Sequence, residues 1–89
     1  MIVPNTLFFP TDSKNLYSIF RGTGIDYKVK LFKSLEYARI ISKKKNEAPV
    51  VLSIKVDEMV RDGLEMNLGT NSEWYVKRIP LQYINTKLF

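Results

Sequence analysis

Pro49-Val50-Val51-Leu52-Ser53-Ile54-Lys55-Val56 is the stretch on which the fold turns. A proline opens it, and Val50, Val51, Ile54 and Val56 are β-branched residues that suit a pleated surface. In an extended chain Val50, Leu52, Ile54 and Val56 share one side and Val51 takes the other, so both faces need covering and the strand is expected to be central. Asp57 can cap a single helical turn over Glu58 to Arg61, and Asp62-Gly63 then reverses the chain. Downstream, Leu64, Met66 and Leu68 alternate into a further strand, and Gly69-Thr70-Asn71-Ser72 turns it back. Glu73-Trp74-Tyr75-Val76-Lys77-Arg78-Ile79-Pro80 is the last clear strand, with Trp74, Val76 and Arg78 alternating against Glu73, Tyr75, Lys77 and Ile79. That alternation puts the Glu73 carboxylate and the Tyr75 ring on one face. Pro80-Leu81-Gln82 then makes a turn, and Tyr83-Ile84-Asn85 a short tail strand.

Upstream of Pro49 the periodicity becomes helical. Ser34 is an N-cap type with Glu36 in the first turn, Leu35, Ala38 and Ile41 form a buried stripe flanked by Tyr37 and Ile40, and the helix runs out in Lys43-Lys44-Lys45-Asn46, cations where the dipole favours them. Ile25 to Leu31 alternates apolar and polar residues, a short strand expected near an edge with its lysines on the wet face. Thr11-Asp12-Ser13 offers N-cap types before Leu16, Ile19 and Phe20 mark one helical face, with Gly22 and Gly24 as candidate C-caps. Thr6 to Phe9 is a first strand stopped by Pro10. Phe8 and Phe9 must face opposite ways, one into the core and the other free to line a cleft. Two helices followed by a sheet-rich half give an α+β class, one small domain over residues 1–89.

Composition narrows the chemistry. With 45% hydrophobic residues, one Trp, five Tyr and five Phe, the chain can build a core without staples. The absence of Cys excludes disulfides and a thiolate nucleophile, and the absence of His excludes imidazole ligation and histidine base catalysis, so no metal site is expected. No run approaches the ~18 apolar residues of a membrane span, and Met1-Ile2-Val3-Pro4 lacks the basic start of a signal peptide. A cytoplasmic protein with no membrane partner is expected. The net charge of +5 is concentrated between Arg21 and Lys45, where Arg21, Lys28, Lys30, Lys33, Arg39, Lys43, Lys44 and Lys45 face only Asp26 and Glu36. Lys28, Lys30, Lys33, Lys43, Lys44 and Lys45 are therefore candidate nucleic-acid contacts, or simply a solvated surface. Phosphate-binding glycine loops and calcium loops are absent, and the Ser13-Lys14 and Ser42-Lys43 pairs are sequence neighbours whose side chains point apart.

The order of elements and their punctuation carries a resemblance. Leu7-Phe8-Phe9-Pro10-Thr11 through Gly22-Thr23-Gly24-Ile25 looks like the opening of an ADP-ribosyltransferase-type domain. Val29-Lys30-Leu31, Ala38, Pro49 to Asp57, Met59, Asp62-Gly63, Asn71, Trp74, Ile79-Pro80 and Tyr83 resemble the NAD-binding lobe of the RNA 2'-phosphotransferase family, over residues 6–84. Ser72-Glu73-Trp74-Tyr75-Val76, Ile79-Pro80 and Ile84 are similar to the last strand of DNA-targeting ADP-ribosyltransferase toxins. The sequence departs from these patterns where Phe9 and Lys30 stand in place of histidines and Pro10 in place of a glycine. The phosphotransferase family's RNA-binding lobe has no counterpart, which argues against 2'-phosphate removal.

What the resemblance implies is a split antiparallel sheet with two or three short helices around a cleft that takes NAD and no metal. Glu73 would be the catalytic carboxylate, holding a hydroxyl of the nicotinamide ribose and stabilising positive charge as nicotinamide leaves. Arg21 or Arg78 would face the pyrophosphate, Phe9 or Tyr75 would stack on nicotinamide, and Thr11 would belong to the cofactor site. The acceptor of ADP-ribose would be a nucleic acid or a protein. Against this stands a non-catalytic module that binds nucleic acid through the basic stretch or a protein through an aromatic cleft. In that case Glu73 is a surface carboxylate paired with Lys77 or Arg78, and Arg21 a cation on the last carbonyls of its helix. Trp74 reads as core in either case.

Overall fold

β-branching and alternation make strands the commonest element of the chain, and a computed structural model joins them in one curled antiparallel sheet with three helices. It describes residues 4–22, 24–69 and 73–89, with the backbone alone at Tyr27 and Lys28. In chain order the elements are β1 (Thr6–Asp12), α1 (Leu16–Arg21), β2 (Gly24–Phe32), α2 (Leu35–Lys45), β3 (Pro49–Lys55), α3 (Val56–Arg61), β4 (Asn67–Leu68), β5 (Glu73–Pro80) and β6 (Ile84–Leu88). Across the sheet the order is β4-β5-β2-β1-β3-β6.

The sheet is two ladders that barely touch. β1 and β3 are in register from Thr6↔Lys55 to Asp12↔Pro49, and β2 and β5 from Gly24↔Pro80 to Phe32↔Glu73. Among the described residues the two ladders meet only at Phe8↔Phe32. Past Phe8, β1 is therefore registered to β3 alone, and this is why Pro10 can sit inside the strand opposite Val51. A missing N–H costs least where one side of the strand is open.

Alternation sorts the side chains into two cores on opposite faces. Leu7, Val29, Leu31, Leu52, Ile54, Trp74 and Val76 meet Ile19 of α1 and Val56 and Met59 of α3 on one face. Phe32, Val51 and Phe8 pack with Ala38, Leu35 and Ile41 of α2 on the other. Ser34 caps α2 by accepting the Tyr37 N–H at 3.2 Å, and the stripe read from the sequence faces the sheet, leaving Ile40 half exposed. Trp74 is core, as its place in an alternating strand indicated.

Several expectations are corrected. β2 is neither short nor at an edge: it runs nine residues between β5 and β1, although Lys30 is exposed as its alternation indicated. β1 continues through Pro10 to Asp12. Val56 opens α3 instead of closing β3, and Asp57 lies in the first turn of that helix. Leu64 and Met66 pack on the core outside any ladder, so β4 is only two residues long. In β5 the alternation breaks after Val76: Lys77 and Arg78 are both exposed and Ile79 turns into the core beside Trp74, opposite a register shift between Asp26 and Val29. Leu81–Tyr83 is a 3-10 turn, after which β6 pairs with β3 at the far edge. Gly22 caps α1, whereas Gly24 begins β2. The Gly69 to Ser72 turn and the Asn71 and Ser72 matches lie in part or wholly outside the described residues.

Asp12 locks the end of β1 to the loop before β3. Its buried carboxylate accepts the N–H groups of Lys14 at 3.0 Å, Glu47 at 3.1 Å and Ala48 at 3.2 Å, while the Ser42 hydroxyl donates to the Thr11 carbonyl at 2.6 Å. The Lys14 N–H foremost, opposed by burial, holds Asp12 below the ordinary carboxylate value. A depressed folded-state value means that this contribution to stability is complete above the unfolded pKa of about 3.9 and is lost as pH falls through the lower folded value. Asp12→Asn is accordingly expected to lower Tm at pH 7 by on the order of 10 °C. It should also flatten the fall of Tm with acidification; thermal melts of both proteins from pH 7 to pH 2 check this.

Candidate functional site

Where the two ladders part, α2 spans the gap and leaves a cleft of about 400 Å³. Phe9 comes to its wall from β1, Lys30 and Phe32 from β2, Tyr37 and Lys45 from α2, and Glu73 from the first position of β5. The Phe32 and Tyr37 rings meet edge to face at 5.3 Å, giving that side an aromatic surface.

Glu73 has the most specific geometry. It is in register with Phe32, and two pairs along, on the same face, Lys30↔Tyr75 brings a cation and a hydroxyl onto its carboxylate. Tyr75 Oη donates to Glu73 Oε2 at 2.6 Å and Lys30 Nζ lies 3.4 Å from the same oxygen. The Lys30 ammonium is also 6.0 Å from the centre of the Tyr75 ring. Among the described residues Oε1 accepts no hydrogen bond. The Glu73 side chain is only 13% exposed, yet the Tyr75 hydroxyl first, and then Lys30, hold it below the ordinary carboxylate value against the upward push of burial. The same bond, with burial, pushes the Tyr75 hydroxyl above its ordinary value. Gly69 leaves room for that ring: a β-carbon there would stand 2.2 Å from Tyr75 Cε2. The result is a fixed, ionised acceptor whose second oxygen is free among the described residues, suited to receiving a ligand hydroxyl and unsuited to donating a proton.

The other candidates distribute unevenly. Phe9 lines the cleft, and Tyr75 supports it from behind Glu73. Thr11 is buried scaffold, its hydroxyl accepting from Asn15 Nδ2 at 3.1 Å. Arg21 lies over the Tyr17 ring at 5.2 Å, outside the cleft lining, and Arg78 pairs with Asp26 at 3.4 Å. Glu73 meets neither Lys77 nor Arg78, because its partner comes across the ladder from β2 and not along its own strand. Lys30 and Lys45 line the cleft, whereas Lys33, Lys43 and Lys44 are exposed outside its lining. The Lys28 side chain lies outside the described residues. Sequence reasoning missed Phe32, Tyr37 and Lys45 as cleft residues; the adjacency of Phe32 to the Ile25–Leu31 alternation was the one available signal.

Among the described residues no helix is long and apolar enough to cross a membrane. Compared with models of known protein families and with curated proteins, the chain matches none.

Proposed function

We propose that the chain is a minimal ADP-ribosyltransferase-like protein that takes NAD in the cleft between the two ladders and passes ADP-ribose to a nucleic acid or a protein. The observation that carries this reading is the state of Glu73: Oε2 is tied by Tyr75 and Lys30, and Oε1 carries no bond among the described residues. NAD supplies an ADP-ribosyl group on a good leaving group. The chain's part is to hold a ribose hydroxyl on Glu73, to keep a fixed negative charge beside the reacting carbon, and to offer Phe9, Phe32 or Tyr37 as an apolar wall for the nicotinamide ring. None of these roles needs a histidine. A volume near 400 Å³ falls in the range of small-molecule sites and suits the nicotinamide ribose half of the ligand.

Isothermal titration tests this directly. NAD is expected to bind with Kd of about 0.1–1 mM, and Glu73→Ala to weaken binding about tenfold. No heat from the wild-type protein at several times about 1 mM NAD would overturn the reading.

A second reading, a non-catalytic module on nucleic acid, is favoured by Lys33, Lys43 and Lys44. All are exposed and none has an ion pair among the described residues. It requires retention on a phosphate matrix that falls with salt and with neutralisation of those lysines.

A further inference from the structure

Leu64 to Leu68 alternates like a strand, but only Asn67 and Leu68 pair with β5, opposite Tyr75 and Trp74. Leu64 and Met66 turn onto the core instead. From Val76 to Ile79, β5 is bonded to β2 on its inner side and, among the described residues, has no strand on its outer side. Beside that open edge lies a groove of about 340 Å³, walled by Leu64, Glu65 and Asn67 on one flank and by Val76, Lys77, Arg78 and Pro80 on the other. An open edge presents alternating donors and acceptors at strand spacing, which only another extended backbone can satisfy together. β4 bounds the edge at one end, and Pro80, which has no N–H to give, bounds it at the other.

We propose that this edge docks an extended, acidic peptide segment of another protein, added to β5 as a strand. The charges select the partner. Arg78 is committed to Asp26 at 3.4 Å, whereas Lys77 is exposed with no ion pair among the described residues. Glu65 stands on the far wall, away from the strand that would carry the ladder. A second copy of this chain pairing antiparallel through the same edge would set Lys77 against Arg78, a like-charge contact that disfavours self-association. A partner strand with an acidic residue opposite Lys77 and apolar residues on either side would meet Lys77 with opposite charge, and would cover the half-buried Leu64 with apolar surface.

The probe is an acetylated, amidated peptide of alternating valine and glutamate, about five residues long, added to the 15N-labelled full chain. Amide shifts and slowed amide exchange are expected at Val76–Ile79 and Leu64–Asn67. A valine–lysine peptide should bind about tenfold more weakly, and Lys77→Glu should reverse that preference; this exposed position leaves the fold intact. Methylating alternate peptide amides should abolish the shifts. No shift on these residues at about 1 mM peptide, shifts that survive methylation, or edge protection that grows with protein concentration alone would each overturn the proposal.

Discussion

Glu73→Gln is expected to lower nicotinamide release from NAD by about 10²–10³-fold, the usual cost of removing a preorganised charge from a reacting centre. Glutamine keeps the shape of the side chain, and its amide oxygen can still accept from Tyr75, so Tm should change by only a few degrees, within about 4 °C. Only the charge is lost, leaving Lys30 without its partner. The wild-type pH profile adds a second check. Glu73 lies below its ordinary value, so it is ionised throughout the neutral range, and the acid limb of the rate profile belongs below the usual carboxylate pKa of about 4.3. Tyr75→Phe removes the first cause of that shift. Its acid limb should therefore move upward while the rate above it falls by about tenfold. Chromatographic assay of nicotinamide release across pH supplies both readings, and a glutamine variant as fast as wild type would remove Glu73 from the chemistry.

The sequence revealed its elements better than their neighbours. Alternation placed β3 and β5, capping chemistry placed both ends of α2, and the shared face of Glu73 and Tyr75 followed from period-two geometry and became the 2.6 Å bond that fixes Glu73 in the cleft wall. Pairing across strands was not legible. Lys30 is exposed, as its alternation indicated, but nothing local says that β5 will lie beside β2, so its pairing with Glu73 was hidden and the partner offered for Glu73 was sought along its own strand. Pro10 looked like a strand terminator because its tolerance depends on where β1 and β2 separate, a property of the whole sheet. Leu64 and Met66 have strand spacing, yet their apolar surface is better buried on the core than in a ladder, so burial overrode pattern. Arg21 and Thr11 illustrate the same limit in the site. Arg21 is taken by Tyr17 one turn back on its own helix, and Thr11, inside β1, is taken by Asn15 and by Ser42 from α2, so neither is left to face a ligand.

Gly24→Ala is expected to cost on the order of 4 kcal/mol, a large part of the roughly 5–13 kcal/mol that a chain of this length holds in total. Gly24 opens β2 with φ +113, a conformation that L-residues rarely adopt, and it pairs with Pro80 at the end of β5. A β-carbon there would lie 2.1 Å from the Ile79 carbonyl oxygen and 2.7 Å from the Leu81 nitrogen. Both obstacles are backbone, so no rotamer change relieves them. The end of β5 must withdraw from β2, taking with it the Ile25↔Ile79 pair, both of whose side chains are buried. Gly63 supplies the internal control. It also has positive φ, at 89, but a β-carbon there meets nothing within 4 Å. Gly63→Ala should therefore show the conformational cost alone, about 1 kcal/mol. In urea melts the Gly24 variant is expected to lose at least about three times as much stability as the Gly63 variant. Equal losses would mean that the contact with β5 adds nothing, and that the joint between β2 and β5, on which the position of Glu73 depends, is looser than the register implies.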